Sequence, residues 1–365
     1  MSRAHGRAGA APRLFDGVCS KLLGGVHRDL RIGGYVEIKN KNAVILINLG
    51  TPSAPTPKAV RQFLKDFLGD KRVVEIPRLV WWPILYGFIL PFRPRRVAKL
   101  YQEIWGPEGS PLRVITERQT TALSQLLADE LGENAPSVTS AMVYGGPSIE
   151  SRVDAVRTQG AARILLLPLY PQYSATTTGS VYDQYARVLQ KNRNIPNMTV
   201  YRDYHRRPDY IEALARSVEA HWQEKGRGGR LLLSYHGIPQ RNVDLGDPYY
   251  DQCATTARLL AERLGLTSSQ WAMSFQSRLG KAQWLQPYTD KLLQSWGKEG
   301  VNSVDVICPA FSADCLETIE EIDGENRAIF LAAGGERFEY IGCLNDRPDH
   351  IAMMGNIVRE FFGVI

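Results

Sequence analysis

A chain of 365 residues is long for one ordinary domain, and a hydrophobic share of 44% supplies core enough for two. Its 44 Lys and Arg exceed 38 Asp and Glu, a formal net charge of +6 that suits an anionic ligand or membrane surface; no zinc-finger spacing or RNP-type motif supports a nucleic-acid partner. No run approaches the roughly 20 unbroken apolar residues of a membrane helix, and five scattered cysteines without a C-x-x-C pair exclude a disulfide scaffold and a four-cysteine metal cluster, fitting a reducing compartment such as the cytoplasm.

Residues 1–40 stand apart as a basic, acid-poor extension in which Leu14, Val18, Leu22 and Val26 share a helical face. A disordered tail is the expectation, with an organellar transit peptide as the alternative. The first lobe is expected to span 41–190. It opens on the apolar run Asn42–Leu49, ended by Gly50-Thr51-Pro52, and continues into a helix at 60–68. The stretch Trp81–Phe92, with tandem tryptophans, Pro83 and Pro91, leads to Arg93, Arg95 and Arg96. Three readings stand open for it: buried core, an interfacial anchor on a membrane surface, or the lip of a pocket for a flat apolar ligand bearing carboxylates.

A loop at 104–111 precedes a helix at 116–131; strands at 137–144 and 163–170 flank a helix at 149–159. The hydroxyl- and amide-rich 171–180 then opens a helix, where it forms either an anion nest or a cap. Strand and helix alternating at this spacing predict a doubly wound, mostly parallel α/β sheet. The first strand is not followed by G-x-G-x-x-G, so a dinucleotide site has little support.

The second lobe is expected over 191–349, beginning near Met198–Val200 after an Asn-rich turn. Its defining stretch is Leu231-Leu232-Leu233-Ser234-Tyr235-His236-Gly237-Ile238-Pro239, an apolar strand stopped by Gly and Pro with an imidazole at its carboxyl end. Open α/β sheets place reactive groups there, and imidazole can exchange a proton near neutral pH or hold a metal. The run echoes Asn42–Pro52, which suggests two similar α/β halves. A strand at 271–276 enters the polar loop 277–287 with Trp284. The strand at 304–308 enters a loop and then an acidic helix, where Glu317, Glu321 and Glu325 recur at i, i+4 and i+8. Like charges so spaced are unfavourable unless protons or cations offset them. A solvated face and a path for metal or protons are the competing explanations. His236 and Glu317 together offer a borderline-metal ligand pair and acceptors for a weakly acidic N–H.

Six segments, in order over about residues 42–355, resemble the ferrochelatases: Leu49-Gly50-Thr51-Pro52; Tyr170–Ser174 with Thr177–Ser180; Ser234–Pro239; Gly246–Tyr249; Phe275–Gly280; and Pro309-Ala310-Phe311 with Asp314–Thr318. The resemblance implies two Rossmann-like lobes (class II chelatase-like) around a porphyrin cleft, with a final helix at about 350–365 packed on the first lobe. It implies ferrous iron inserted into protoporphyrin IX, the last step of haem synthesis, with two protons released. His236 and Glu317 would be the facing catalytic and metal-contacting pair, His236 taking a pyrrole proton as macrocycle distortion exposes a nitrogen lone pair. Tyr101, Ser110, Trp284 and Phe311 would contact porphyrin and Arg93 and Arg96 its propionates, while Asp314, Glu321 and Glu325 would carry metal or protons.

Departures are Cys315, where many relatives have histidine, and Ala175 with no cysteine after Cys343, so no iron–sulfur cluster is expected and no cofactor beyond the substrate Fe2+. The Trp105–Gly109 loop looks bacterial in type. A monomer or homodimer in the cytoplasm is expected, with peripheral contact to the inner membrane through Trp81–Phe92 left open. The competing readings are a chelatase for coproporphyrin or cobalt, and a catalytically silent porphyrin or haem carrier.

Overall fold

The computed structural model describes residues 41–280 and 282–364; the expected N-terminal extension lies outside them. Eight strands alternate with helices: β1 (Lys41–Asn48), β2 (Ser137–Met142), β3 (Ala161–Pro168), β4 (Asn197–Val200), β5 (Arg230–His236), β6 (Trp271–Gln276), β7 (Ser303–Ile307) and β8 (Arg337–Ile341). They form two parallel sheets, ordered β2-β1-β3-β4 and β6-β5-β7-β8. The two orders are equivalent. In each, the first strand is flanked by the second and third, so the topological switch point lies beside its carboxyl end. β1 and β5 read as continuous apolar runs because helices cover both faces of a parallel sheet, and Ala43–Ile47 and Leu231–Leu233 are almost fully buried.

β4 corrects the expected boundary at residue 190. It is hydrogen-bonded to β3, with Leu166 opposite Val200, and therefore belongs to the first sheet. The Asn-rich turn marks the end of the crossover helix Thr178–Lys191, not a linker. A right-handed crossover from β3 sets the next strand beside it. Only after Val200 does the chain pass to the helix Pro208–Lys225.

The largest apolar cluster joins Val44, Leu46, Leu165 and Leu167 of the first sheet to Leu231, Leu233 and Tyr235 of the second, through Ile357 and Val358 of the final helix Pro348–Phe362. That helix lies against Pro111–Leu131 of the first lobe, where a methyl on Gly355 would meet Leu126 at 2.9 Å. It also touches Pro208–Lys225: Asn356 Nδ2 donates to Asp209 at 3.0 Å, and Arg207 pairs with Glu360 at 2.7 Å. The lobes thus share a core and a clasp.

The segment 171–180, read as either an anion nest or a cap, is engaged from within the chain. Ser174 Oγ and the Ala175 amide donate to Asp247 Oδ2 at 2.9 and 2.7 Å, tying the first lobe to the second.

Trp81–Phe92 is helical despite its prolines: Arg78–Ile84 widens through Leu85–Ile89 into Leu90–Ile104. Each proline removes a backbone donor, and the wide i→i+5 turn lies between Pro83 and Pro91. Trp81, Leu85 and Leu90 are buried, whereas Leu79 (92%), Phe88 (68%) and Phe92 (71%) stand in solvent. The segment is therefore core along one stripe and an apolar projection along the other.

Candidate active site

A cleft of about 1220 Å3 opens between the lobes at the carboxyl ends of both sheets. Its lining is mostly apolar, including Leu64, Phe67, Ile84 and Ile89 from the first lobe and Ile238 and Phe311 from the second. The volume exceeds the usual range for a drug-sized ligand and fits a larger one.

His236, the last residue of β5, lines this cleft. Its Nδ1 lies 2.7 Å from the Gly237 carbonyl oxygen. A carbonyl can only accept, so Nδ1 donates, and in the neutral imidazole Nε2 is the nitrogen left as acceptor. The imidazole packs at 6.4 Å from the Phe311 ring. Behind it the Gly237 amide donates to Gln276 O at 2.8 Å, and a methyl at Gly237 would stand 2.8 Å from that oxygen. Glycine is required by the close approach.

Glu317 opens the acidic segment Glu317–Asn326, which is a π-helix and not the α-helix expected from spacing. The side-chain Nδ2 of Asn326 donates to Glu321 O at 2.7 Å, bracing the end of the widened segment. Glu317, Glu320, Glu321 and Glu325 nevertheless all line the cleft. Gln276 holds this helix to β5: its Nε2 donates to Glu317 O at 2.8 Å, and its Oε1 accepts from Ser234 Oγ at 2.7 Å. One amide side chain therefore sets the acidic segment against the histidine-bearing strand.

The electrostatics are those of crowded carboxylates. Glu321 is pushed up to about 7, chiefly by burial and further by Glu317 and Glu325, against the lowering effect of Ser277. The Ser277 amide donates to Glu321 at 2.8 Å and its hydroxyl donates to the other carboxylate oxygen, holding Ser277 at a left-handed φ of 65°. Glu320 is also raised, by burial, then Glu325 and Glu103, with Arg96 opposing. Tyr101 is held well above the usual phenol range by burial and then by the charge of Glu317, which places that carboxylate near the first-lobe wall. The Cys315 thiol, also lining the cleft, is raised by burial and Glu317 and is therefore neutral.

Residues 41–361 match the family model for ferrochelatase. A ferrochelatase of Thioalkalivibrio sulfidiphilus is 55% identical over 315 residues, covering 86% of this chain and 85% of its own. One from Aeromonas hydrophila is 54% identical, covering 87% and 98%. The chain belongs to the ferrochelatase family. It is a metal chelatase, a lyase of haem biosynthesis. Two solved structures share its fold: SirB of Bacillus subtilis with Fe3+, at TM-score 0.51 and 14% identity, covers 88% of this chain and 95% of its own. CbiX, described as the terminal enzyme for siroheme biosynthesis in denitrifying bacteria, superposes at TM-score 0.50 and 12% identity, covering 87% and 98%.

Of the residues singled out from the sequence of this ferrochelatase, His236, Glu317, Tyr101, Ser110, Arg93, Arg96, Trp284, Phe311, Glu321 and Glu325 all line the one cleft. Ser110 is buried and accepts from Thr51 Oγ1 at 2.9 Å. Trp284 is held by its indole N–H on Leu279 O at 3.0 Å. Arg93 is partly buried, its guanidinium lowered by burial and by Arg96, and among the described residues neither arginine has a hydrogen-bonded partner.

Asp314 is the exception. It lies outside the lining, and its carboxylate accepts from Tyr340 OH at 2.6 Å, Asn345 Nδ2 at 2.7 Å and Thr318 Oγ1 at 3.1 Å. These bonds close the turn before the acidic segment and hold the carboxylate away from the cleft.

Gln276, Ser277 and Glu320 escaped sequence reasoning. Gln276 and Ser277 sit in a quoted motif, but their partners are 41 and 44 residues away. Among the described residues no group of three or more His, Cys, Asp or Glu side chains converges as a metal cage.

Proposed function

We propose that this ferrochelatase inserts ferrous iron into protoporphyrin IX, giving protohaem and two protons. The observation that supports the reading best is that the His236 imidazole, its Nδ1 held on the Gly237 carbonyl, and the Glu317 carboxylate line the same apolar-walled cleft. The macrocycle lies between the lobes, with Phe311 and Trp284 on the second-lobe side and Tyr101 on the first. Arg93 and Arg96 receive its propionates, since unpaired guanidinium forks in a partly dry wall favour carboxylate ligands. His236 Nε2 accepts one pyrrole proton. The second leaves toward the carboxylates, where Glu321, poised to exchange a proton near pH 7, stands behind Glu317. Iron is substrate here, passed along the Glu325–Glu317 face to Glu317. No electron is transferred, and we propose no resident cofactor and no iron–sulfur cluster.

Among the described residues no helix is long and apolar enough to cross a membrane. We place the enzyme in the cytoplasm, resting on an anionic lipid surface through Leu79, Phe88 and Phe92, the exposed apolar side of a helix that also carries Arg95.

The test of the chemistry is anaerobic incorporation of ferrous iron into protoporphyrin IX, followed by loss of porphyrin fluorescence, with coproporphyrin and cobalt as alternative substrates. Turnover by wild type, and its loss in His236→Ala with porphyrin binding retained, is the expected result. Equal turnover in both would overturn the assignment. Co-sedimentation with vesicles containing phosphatidylglycerol tests the surface: wild type binds and a Phe88→Asp, Phe92→Asp double variant does not.

A further inference from the structure

Around the cleft, Glu75 and Arg241 are the one ion pair among the described residues whose partners line it from opposite lobes. Arg241 Nη1 donates to Glu75 Oε2 at 3.2 Å, and their side chains are 69% and 36% exposed, so the pair stands at the mouth. Glu75 belongs to the stretch between the helices Pro57–Gly69 and Arg78–Ile84. Arg241 belongs to the short turn of helix Gln240–Asp244, which follows His236 directly.

That short helix is anchored. The Gln240 amide donates to Gln283 O at 2.9 Å, and Leu285 N donates to Ile238 O at 3.0 Å, fastening it to the Trp284 loop. The backbone under Arg241 is therefore positioned with the His236 loop, while its side chain remains free in solvent to change partner.

A carboxylate on the rim of a cleft that admits a dicarboxylate ring is a liability, because like charges repel. Pairing with Arg241 neutralises it. An exposed pair of this kind contributes little stability, and exchanging one carboxylate for another at a guanidinium conserves its hydrogen bonds. We infer that Arg241 is a specificity-determining residue: on entry of the porphyrin it leaves Glu75 and takes a carboxylate of the macrocycle, so that Glu75 is the resident competitor for the substrate's own acid group. The inference rests on the porphyrin reading of the cleft and adds to it a cation on the lip opposite Arg93 and Arg96.

The two partners then have opposite effects, which a purely structural clasp would not produce. With protoporphyrin IX as substrate, Arg241→Gln is expected to raise KM about two- to fivefold, the range of an exposed ion pair. Glu75→Gln, which removes the competitor, is expected to lower KM by up to about the same factor. Direct binding, read by porphyrin fluorescence, should shift in the same senses. Octaethylporphyrin in detergent has no carboxylate, and its KM should not respond to residue 241. Shifts in the same direction for both variants, no shift for either, or equal shifts with octaethylporphyrin would overturn the inference while iron insertion itself remained measurable. Failure of wild type to insert iron would instead defeat the underlying reading.

Discussion

The two sheets have the same strand order, yet the ends of their equivalent first strands do different things. At the end of β1, Asn48 also borders the cleft, but its amide is spent within the first lobe: its Nδ2 donates to Thr116 Oγ1 at 3.0 Å and its Oδ1 accepts from the Leu49 amide at 2.8 Å. Gly50 follows at φ 104°, where a methyl would fall 1.8 Å from the Tyr144 carbonyl oxygen. At the end of β5, His236 faces the cleft with one ring nitrogen engaged and the other available. The first lobe supplies a wall and cations; the second supplies the imidazole and, through Gln276, the placement of the acidic segment. A shared topology therefore fixes where a site can lie but not which lobe carries its chemistry, which depends on one side chain at each switch point.

The sharpest way to break this division is to substitute at both strand ends. His236→Ala is expected to cut the rate of iron insertion about 10²- to 10⁴-fold, the usual contribution of a positioned base, while thermal unfolding stays at the wild-type midpoint. Asn48→Ala should do the reverse. It leaves the Thr116 hydroxyl without one of its partners and should lower stability by about 1–3 kcal/mol in denaturant titration, with a far smaller effect on rate.

The glycines sharpen the comparison. Gly50→Ala combines a left-handed φ with a backbone clash, and a loss on the order of 3–5 kcal/mol is expected. Gly237→Ala, at an ordinary φ, meets Gln276 O at 2.8 Å and the Trp284 ring at 3.3 Å and should cost about 1–3 kcal/mol. A larger loss at Gly237 than at Gly50 would reverse the ranking of the two ends.

The carboxylates give a prediction in pH. Glu321 in the folded protein is raised to about 7 from an ordinary value of 4.5. Between those values the folded state binds the extra proton, so stability falls as pH rises through about 4.5 to 7. The span corresponds to a change on the order of 3 kcal/mol. Glu321→Gln should remove that slope, measured by denaturant titration across the window. Ser277→Ala takes away one of the two donors that favour the charged form and should push the Glu321 midpoint higher, a smaller effect seen by carboxyl NMR.

Much of this was readable in the chain. Apolar runs ended by Gly and Pro marked β1, β3, β5 and β7, because strands buried on both faces cannot alternate. His236 and Glu317 stood out because imidazole and carboxylate at strand ends are chemically conspicuous. The boundary at β4 was not readable: four residues with alternating burial carry almost no signal, and only pairing with β3 assigns them to a sheet. Asp314 looked like Glu321 on paper. The fold turned one into an anchor of the preceding turn and the other into an acid lining the cleft, since what separates them is who their neighbours are. The π-helix escaped for a similar reason. Its i, i+4 pattern is that of an α-helix, and its wider winding is braced by contacts such as that of the Asn326 side chain with Glu321 O.

By itself the sequence determined the parallel α/β class, the two-lobed plan and the family, because these follow from local periodicity and from residue chemistry. Only the tertiary structure decided that His236, Glu317 and the first-lobe arginines share one cleft, that Asp247 engages the 174–175 turn, that Gln276 ties the acidic segment to β5, and that Arg241 meets Glu75 across the cleft. Those facts rest on contacts between residues far apart in the chain, and such contacts exist only once burial and hydrogen-bond satisfaction have been met everywhere at once.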